Sequence, residues 1–297
     1  MEKNGKQWAI LYQDFKYDEM LAFGSGYWIS LSEDEGKTWK KYYTGLSGGK
    51  NYYFKQNSQK PFWRDENHLQ IEADIVRMTE PSIHPLSPDY EVVKDNALVI
   101  LDLSEIIKDS DEDGLTDIEE RNLFLNPLSK DTDGDGIPDS EDLNPRFASS
   151  SNDFTRLYEG IIFGENTESA GLSPYEDFVI HLEQPKKVTE SDKNKEEFSN
   201  ELGLPNTIKL IVTNDTNLQR INPKHYKIII LTPKEFEEYR KQYHSVLEQL
   251  SYSPLFQCDK NPNVYIMSSS ASFSGASYKI ERTKAGWKVT TLSSWIS

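Results

Sequence analysis

The sequence predicts a mainly β, α+β chain: two β-rich domains, the second carrying one main helix on a sheet. Three observations lead there. Segments of strand length, alternating or wholly apolar, recur at both ends of the chain and are broken by Gly and Pro. Aromatic residues make up 12% of 297 residues, with 16 Tyr, 13 Phe and 6 Trp, a supply of large side chains that calls for a buried core. Between the β-rich stretches lies a concentrated acidic run, which divides the chain into residues 1–107, 108–146 and 147–297.

In the first stretch, "YWISLSEDEGKTWKKYY" places aromatic and β-branched flanks around a Glu-Asp-Glu-Gly centre, the pattern of a hairpin. "HLQIEADIVRM" and "NALVILDL" are further strands, with Pro81, Pro85 and Pro88 breaking the chain between them. After the acidic run, "RFASSSND" reads as a polar connector. "TIKLIVT" and "YKIIILT" then read as buried strands. "TPKEFEEYRKQYHSVLEQL" predicts the helix, with Thr232 as N-cap, Pro233 in the first turn and Glu235 closing a capping box. Its apolar residues Phe236, Tyr239, Tyr243, Val246, Leu247 and Leu250 follow helical spacing. The tail alternates through Tyr278 and Ile280, turns at Ala285-Gly286 and returns through Trp287 and Val289 as a closing hairpin. Residues 184–201 have little to bury and read as a mobile insertion.

Net charge is −16, which argues against nucleic-acid and anionic-membrane partners. Most of that charge is local. Residues 105–142 hold fourteen Asp or Glu against three Lys or Arg, and the rest of the chain shares only −5. The single cysteine, Cys258, allows no internal disulfide. No apolar run reaches transmembrane length, and "MEKNGKQWAILYQDF" lacks the basic-then-apolar layout of a signal peptide. The protein therefore either stays inside or has lost a leader.

Like charges at this density repel one another, so the acidic run needs a physical reason. Asp109, Asp111, Asp113, Asp117 and Glu120 stand at positions 1, 3, 5, 9 and 12 of one loop, with Gly114 at position 6. Asp131, Asp133, Asp135, Asp139 and Asp142 repeat that spacing 22 residues later, with Gly136 at position 6. Alternate carboxylates on a tight loop point inward. The glycine permits the bend that turns in the carbonyl of Leu115 or Ile137, and the last acid closes the shell. Calcium takes about six to eight oxygens and tolerates irregular geometry, which suits this donor set. Magnesium demands tight octahedral geometry and zinc wants Cys or His, which the segment lacks. Twelve residues are thus candidate calcium ligands, for two or more ions.

The second loop, "DTDGDGIPDSEDLNP", resembles the thrombospondin type 3 repeat. The first, "DSDEDGLTDIEE", resembles that repeat and also the EF-hand, since its twelfth residue is Glu and "IEERNLFL" can form an exiting helix. No entering helix is evident before Asp109, and Pro138 lies inside the second loop, so two complete EF-hands are not expected. The resemblance covers residues 109–145 and implies calcium binding and a calcium-stiffened connector. From the clustered charge, bound ions are expected to close the loops and fix how the flanking domains face each other. Extracellular calcium modules often work at about 10⁻⁴–10⁻³ M, so an exported, periplasmic or cell-surface location is expected.

"SEDEGKTW", residues 32–39, fits Ser-x-Asp-x-Gly-x-Thr-Trp and resembles the Asp-box of sialidase-like propellers. The resemblance implies a shaped hairpin turn, with Asp34 bonded into it, Gly36 at the bend and Trp39 packed beneath. One copy, in roughly a hundred residues, is too little for a propeller of blades about 40–50 residues long. The expected function is a calcium-binding structural or interaction protein with a protein or glycan partner. A glycan-acting hydrolase or glycan-binding protein is the alternative, on the Asp-box alone. Neither a phosphate-cradling loop nor a G-x-S-x-G elbow occurs, and the five His lie scattered. "SSSASFSG" reads as a strand edge or loop.

Overall fold

The structure is a computed structural model that describes residues 2–14, 26–47, 50–55, 58–78, 90–163, 178–180, 208–224, 227–243, 250–271, 274–284 and 286–296. It is mainly β. The chain divides into two compact units, Met1–Thr132 with Glu237–Leu247, and Asp133–Phe236 with Glu248–Ser297. The division falls inside the second acidic loop. Among the described residues, no helix is long and apolar enough to cross a membrane.

In the first unit, β1 (Glu2–Asn4), β2 (Gln7–Asp14), β3 (Gly26–Ser32) and β4 (Lys40–Ser47) form an antiparallel sheet in sequential order. A second antiparallel sheet contains β5 (Lys50–Phe54), β6 (His68–Met78) and β7 (Tyr90–Asp102). Alternation puts Ala9, Ile29 and Leu31 of the first sheet in one core with Leu69, Ile71 and Leu101 of the second. Burying a large aliphatic side chain of this kind contributes about 1.5–3 kcal/mol. β7 runs directly into α1 (Leu103–Ile106), which Asp102 caps by accepting from the Ser104 N–H, and Leu103 and Ile106 join the same core. This single turn enters the first acidic loop. α2 (Asp117–Asn122) leaves it, with Ile118 packed on the core.

The second unit begins with the rest of the acidic segment and then α3 (Asp153–Phe163). It continues through β8 (Phe178–Ile180), β9 (Lys209–Val212), α4 (Thr216–Gln219) and β10 (Ile228–Leu231). In chain order α5 (Pro233–Tyr243) follows, its residues from Glu237 on belonging to the first unit, and the second unit resumes with β11 (Leu250–Tyr252), β12 (Phe256–Cys258), β13 (Asn261–Ala271), β14 (Ser274–Thr283) and β15 (Gly286–Ile296). One mixed sheet has the order β10-β9-β11-β13-β14-β15-β8, with β12 paired to β13. β10, β9 and β11 are parallel, and the wholly apolar stretches of β9 and β10 are buried accordingly. β14 and β15 form the predicted closing hairpin, with Ile280 opposite Val289.

Several expectations change. A helix other than the expected one enters the core of this sheet: Leu157 and Tyr158 of α3 are fully buried with Ile211, Ile230, Met267 and Trp287. Asn152 starts α3 by accepting the N–H groups of Phe154 and Thr155. The Thr232–Glu235 capping box forms as predicted. Leu250, however, belongs to β11 and not to the helix, because it pairs with Ile211 in the sheet. "SSSASFSG" supplies the end of β13 and the start of β14. Val246, Leu247, the three prolines 81, 85 and 88, and residues 184–201 lie outside the described residues.

Candidate metal centre

Both acidic loops follow the same local path. At position 4, Glu112 and Gly134 take left-handed conformations, with φ of 61° and 80°. At position 6, Gly114 and Gly136 do so again, at 103° and 97°. The position-3 carboxylate accepts the N–H of position 5: Asp111 from Asp113 at 3.1 Å, and Asp133 from Asp135 at 3.0 Å. The position-5 carboxylate accepts the N–H of position 7: Asp113 from Leu115 at 2.7 Å, and Asp135 from Ile137 at 3.0 Å. These side-chain turns curl the backbone and hold successive carboxylates on one side.

The result is two acid triplets. Asp109, Asp111 and Asp113 bring one carboxylate oxygen each within 4.8 Å of one another, and Asp131, Asp133 and Asp135 do the same. Within the first, Asp109 also accepts the N–H groups of Glu112 and Gly114, at 2.7 and 3.1 Å. Oδ2 of Asp111 is buried and has no hydrogen-bond donor among the described residues. Burial, together with the charges of Asp113 and Asp109, pushes the Asp111 carboxyl above the usual range. A cation is the group that reverses that shift.

The later positions are buried. Asp117 and Asp139, at position 9, are 2% and 1% exposed, and Glu120 and Asp142, at position 12, are 0% and 6% exposed. Their surroundings differ. Asp117 Oδ1 accepts the Ser110 N–H, and its Oδ2 meets the Ser110 hydroxyl at 2.9 Å and Lys108 Nζ at 3.0 Å. Burial raises the Asp117 carboxyl, but Lys108 and Ser110 outweigh it and hold the group below its ordinary value. Asp117 thus closes the base of the loop and is not among the residues of the triplet. Glu120 is carried inward by α2, whose N-terminus is fixed by a reciprocal Thr116–Glu119 capping box. Burial and the charges of Asp135 and Asp139 raise the Asp142 carboxyl. Leu115 and Ile137 stand at the bend, with Ile137 44% exposed.

Anchors hold the second loop that its spacing does not reveal. Nδ2 of buried Asn144 donates to the carbonyls of Phe147, Gln219 and Ile221, at 3.0, 2.9 and 3.0 Å. Lys227 Nζ donates to the Asp139 carbonyl at 2.5 Å, and the Ile228 N–H to the Leu143 carbonyl at 2.8 Å. For the missed position-4 conformation a signal existed: aligning the loops sets Glu112 against a glycine. The Thr-x-x-Glu of the first loop likewise marks its capping box.

In the turn at residues 32–39, Asp34 accepts the Thr38 N–H at 2.8 Å and its hydroxyl at 2.7 Å. Ser32 Oγ accepts the Gly36 N–H at 2.8 Å. These Thr38 bonds lower the Asp34 carboxyl to about 2. The ring against Gly36 is that of Trp8, since a Cβ there would lie 2.6 Å from it. Trp39 is instead 37% exposed, and its Nε1 donates to the Gly36 carbonyl at 3.0 Å. Ser32 and Asp34 thus direct their side chains to groups within the turn itself.

No known family, curated protein or solved structure matches this chain.

Proposed function

We propose that this is a calcium-binding structural or interaction protein in which each Asp-rich loop takes one ion. One observation supports the reading above the others. Asp111 Oδ2 is a buried acceptor without a donor among the described residues, set between two further carboxylates. Burying such an atom is costly unless a positive partner is supplied. The donors are all oxygens, which favours a hard cation, and the set is large and flexible enough for calcium.

In the first loop Asp109, Asp111, Asp113, the Leu115 carbonyl and Glu120 hold the ion, with Asp117 bracing the loop from its base. In the second, Asp131, Asp133, Asp135, the Ile137 carbonyl and Asp142 do so, with Asp139 beside them. Asp142 is one methylene shorter than Glu120, which predicts weaker closure of the second shell. Calcium supplies positive charge to a region that otherwise repels itself. It also stabilises the folded chain by mass action, by about 2.7 kcal/mol at a hundredfold excess over Kd. Loops of this kind fill at extracellular calcium, about 10⁻⁴–10⁻³ M. A location outside the cell or at its surface suits that range, and recovery of the native protein only from cytosol would contradict it.

The test is calorimetric titration of EDTA-stripped protein with calcium. Two ions per chain and a raised unfolding temperature are expected. Absence of heat and of any thermal shift at about 5 mM calcium would end the proposal.

A further inference from the structure

We propose that a second copy of this chain pairs with the first along the open edge of β15, extending the sheet of the second unit antiparallel across a twofold axis. β8 covers that edge only at Trp287, Lys288 and Val289. From Thr290 to Ile296, β15 has β14 on one side and, among the described residues, no strand on the other. An uncovered edge presents a row of backbone N–H and C=O groups, and what satisfies such a row is another extended strand.

Two other edges are defended. At the far side of the same sheet, the Ile228 N–H of β10 donates to the Leu143 carbonyl, and Arg146 donates to the Ile230 carbonyl. β7, at the rim of the three-stranded sheet, carries Glu91, Lys94 and Asp95, and charges on an edge keep strands apart. The stretch Thr290–Ile296, "TTLSSWI", has neither a charge nor a proline. Its Leu292, Trp295 and Ile296 are 55%, 50% and 88% exposed. Each copy bears a net charge of −16, so copies repel at a distance, and a charge-free edge is where they can still meet.

The side chains favour pairing with the same strand. Trp295 lies opposite Gly275, where a Cβ would come within 2.6 Å of the indole Nε1. The ring therefore leans over β14 and leaves the outer edge of its own strand clear. β15 also carries a bulge: Ser277 pairs with Ser293 and Tyr278 with Thr291, so Leu292 is the extra residue. A ladder that runs from the bulge to Ile296, with the twofold at Ser294, sets Ser293 opposite Trp295 of the partner subunit, small against large. It also sets Leu292 opposite Ile296 of the partner subunit, an apolar pair at each end. The contact is isologous and closes at two copies. Its ladder is short, which puts it at the weak end of specific interfaces.

The experiment is sedimentation equilibrium of the full-length protein in calcium, loaded from about 1 to 300 µM. A monomer–dimer equilibrium with Kd of about 10–200 µM is expected. It tightens by at least about threefold between low and high salt, as the repulsion between copies is screened. Leu292→Lys sets a lysine against Ile296 at both ends and weakens the dimer by at least about tenfold, and Ile296→Glu does the same. The double variant sets lysine against glutamate and returns to within about threefold of the parent. Both side chains are more than half exposed, so unfolding temperatures match the parent. Val93→Lys, on the exposed edge of β7, leaves the equilibrium unchanged. A monomer at every loading, growth beyond two copies, equal association in Leu292→Lys, or a double variant as weak as the single ones overturns the proposal.

Discussion

In the first acidic loop the left-handed residue at position 4 is Glu112 and the twelfth residue is Glu120, delivered by a helix whose Ile118 enters the core of its unit. In the second loop those positions are Gly134 and Asp142, and no helix comes directly after: Asn144 and Lys227 tie the chain down through backbone carbonyls. The turns between positions 3 and 7 are nonetheless the same, bond for bond. The acid spacing itself specifies the curl, through short side chains that accept from N–H groups two residues on. The chain beyond the curl is free to vary, provided something fixes the twelfth residue.

The largest expected effect tests whether the loops act as separate sites. Replacing Asp109 and Asp111 together with Asn removes one calcium ion from the titration and leaves the other. The pair Asp131→Asn with Asp133→Asn does the reverse. Loss of both ions in either double variant would show that the loops form one site, and their likeness would no longer mean independence.

Next comes the anchor. Asn144→Ala strips donors from three carbonyls, two of them 75 and 77 residues away in sequence. It should lower stability by about 2–4 kcal/mol in urea unfolding and weaken calcium binding at the second loop. Thr116→Ala, which removes the capping box of α2, should cost only about 1 kcal/mol and affect the first loop.

Smaller effects probe position 4. Nothing lies within 4 Å of a Cβ at Gly134, so Gly134→Ala costs only the left-handed strain, about 1 kcal/mol. Glu112→Gly relieves the same strain and should stabilise the first loop by up to about 1 kcal/mol in calcium. Opposite signs of similar size, read by urea unfolding, are the signature of a shared backbone.

A final contrast concerns protons. Asp34 is held near 2 by Thr38, so its contribution is present above the ordinary carboxylate value of about 3.9 and is lost as pH falls through about 2. In EDTA, Asp111 and Asp142 are shifted the other way by burial and neighbouring acids. Their ionisation opposes the metal-free fold, so stabilisation is fullest below the ordinary value and is lost as pH rises through the raised one. Carboxyl-carbon NMR titration should place Asp34 below the reference value, and Asp111 and Asp142 above it.

The doubled spacing was fully legible in the sequence, since each turn is made by residues two apart. So were the apolar runs of β9 and β10, the cap at Thr232 and the closing hairpin. α3 was legible in principle: Phe154, Leu157, Tyr158, Ile161 and Ile162 follow helical spacing. The polar Ser-Asn-Asp stretch before it, read as connector, is in fact its N-terminal cap. α1 is one turn long, too short for any period to register. Leu250 fitted the helical pattern, yet pairing with Ile211 decided its place, as tertiary context often overrides local preference. The Asn144 anchor was hidden because its partners are remote in sequence.

The most direct measurement is a crystal structure grown in calcium. Two ions are expected, each with oxygens at about 2.3–2.6 Å, one among Asp109, Asp111 and Asp113 and one among Asp131, Asp133 and Asp135. Triplets that hold only water in a well-resolved map at saturating calcium would contradict the account.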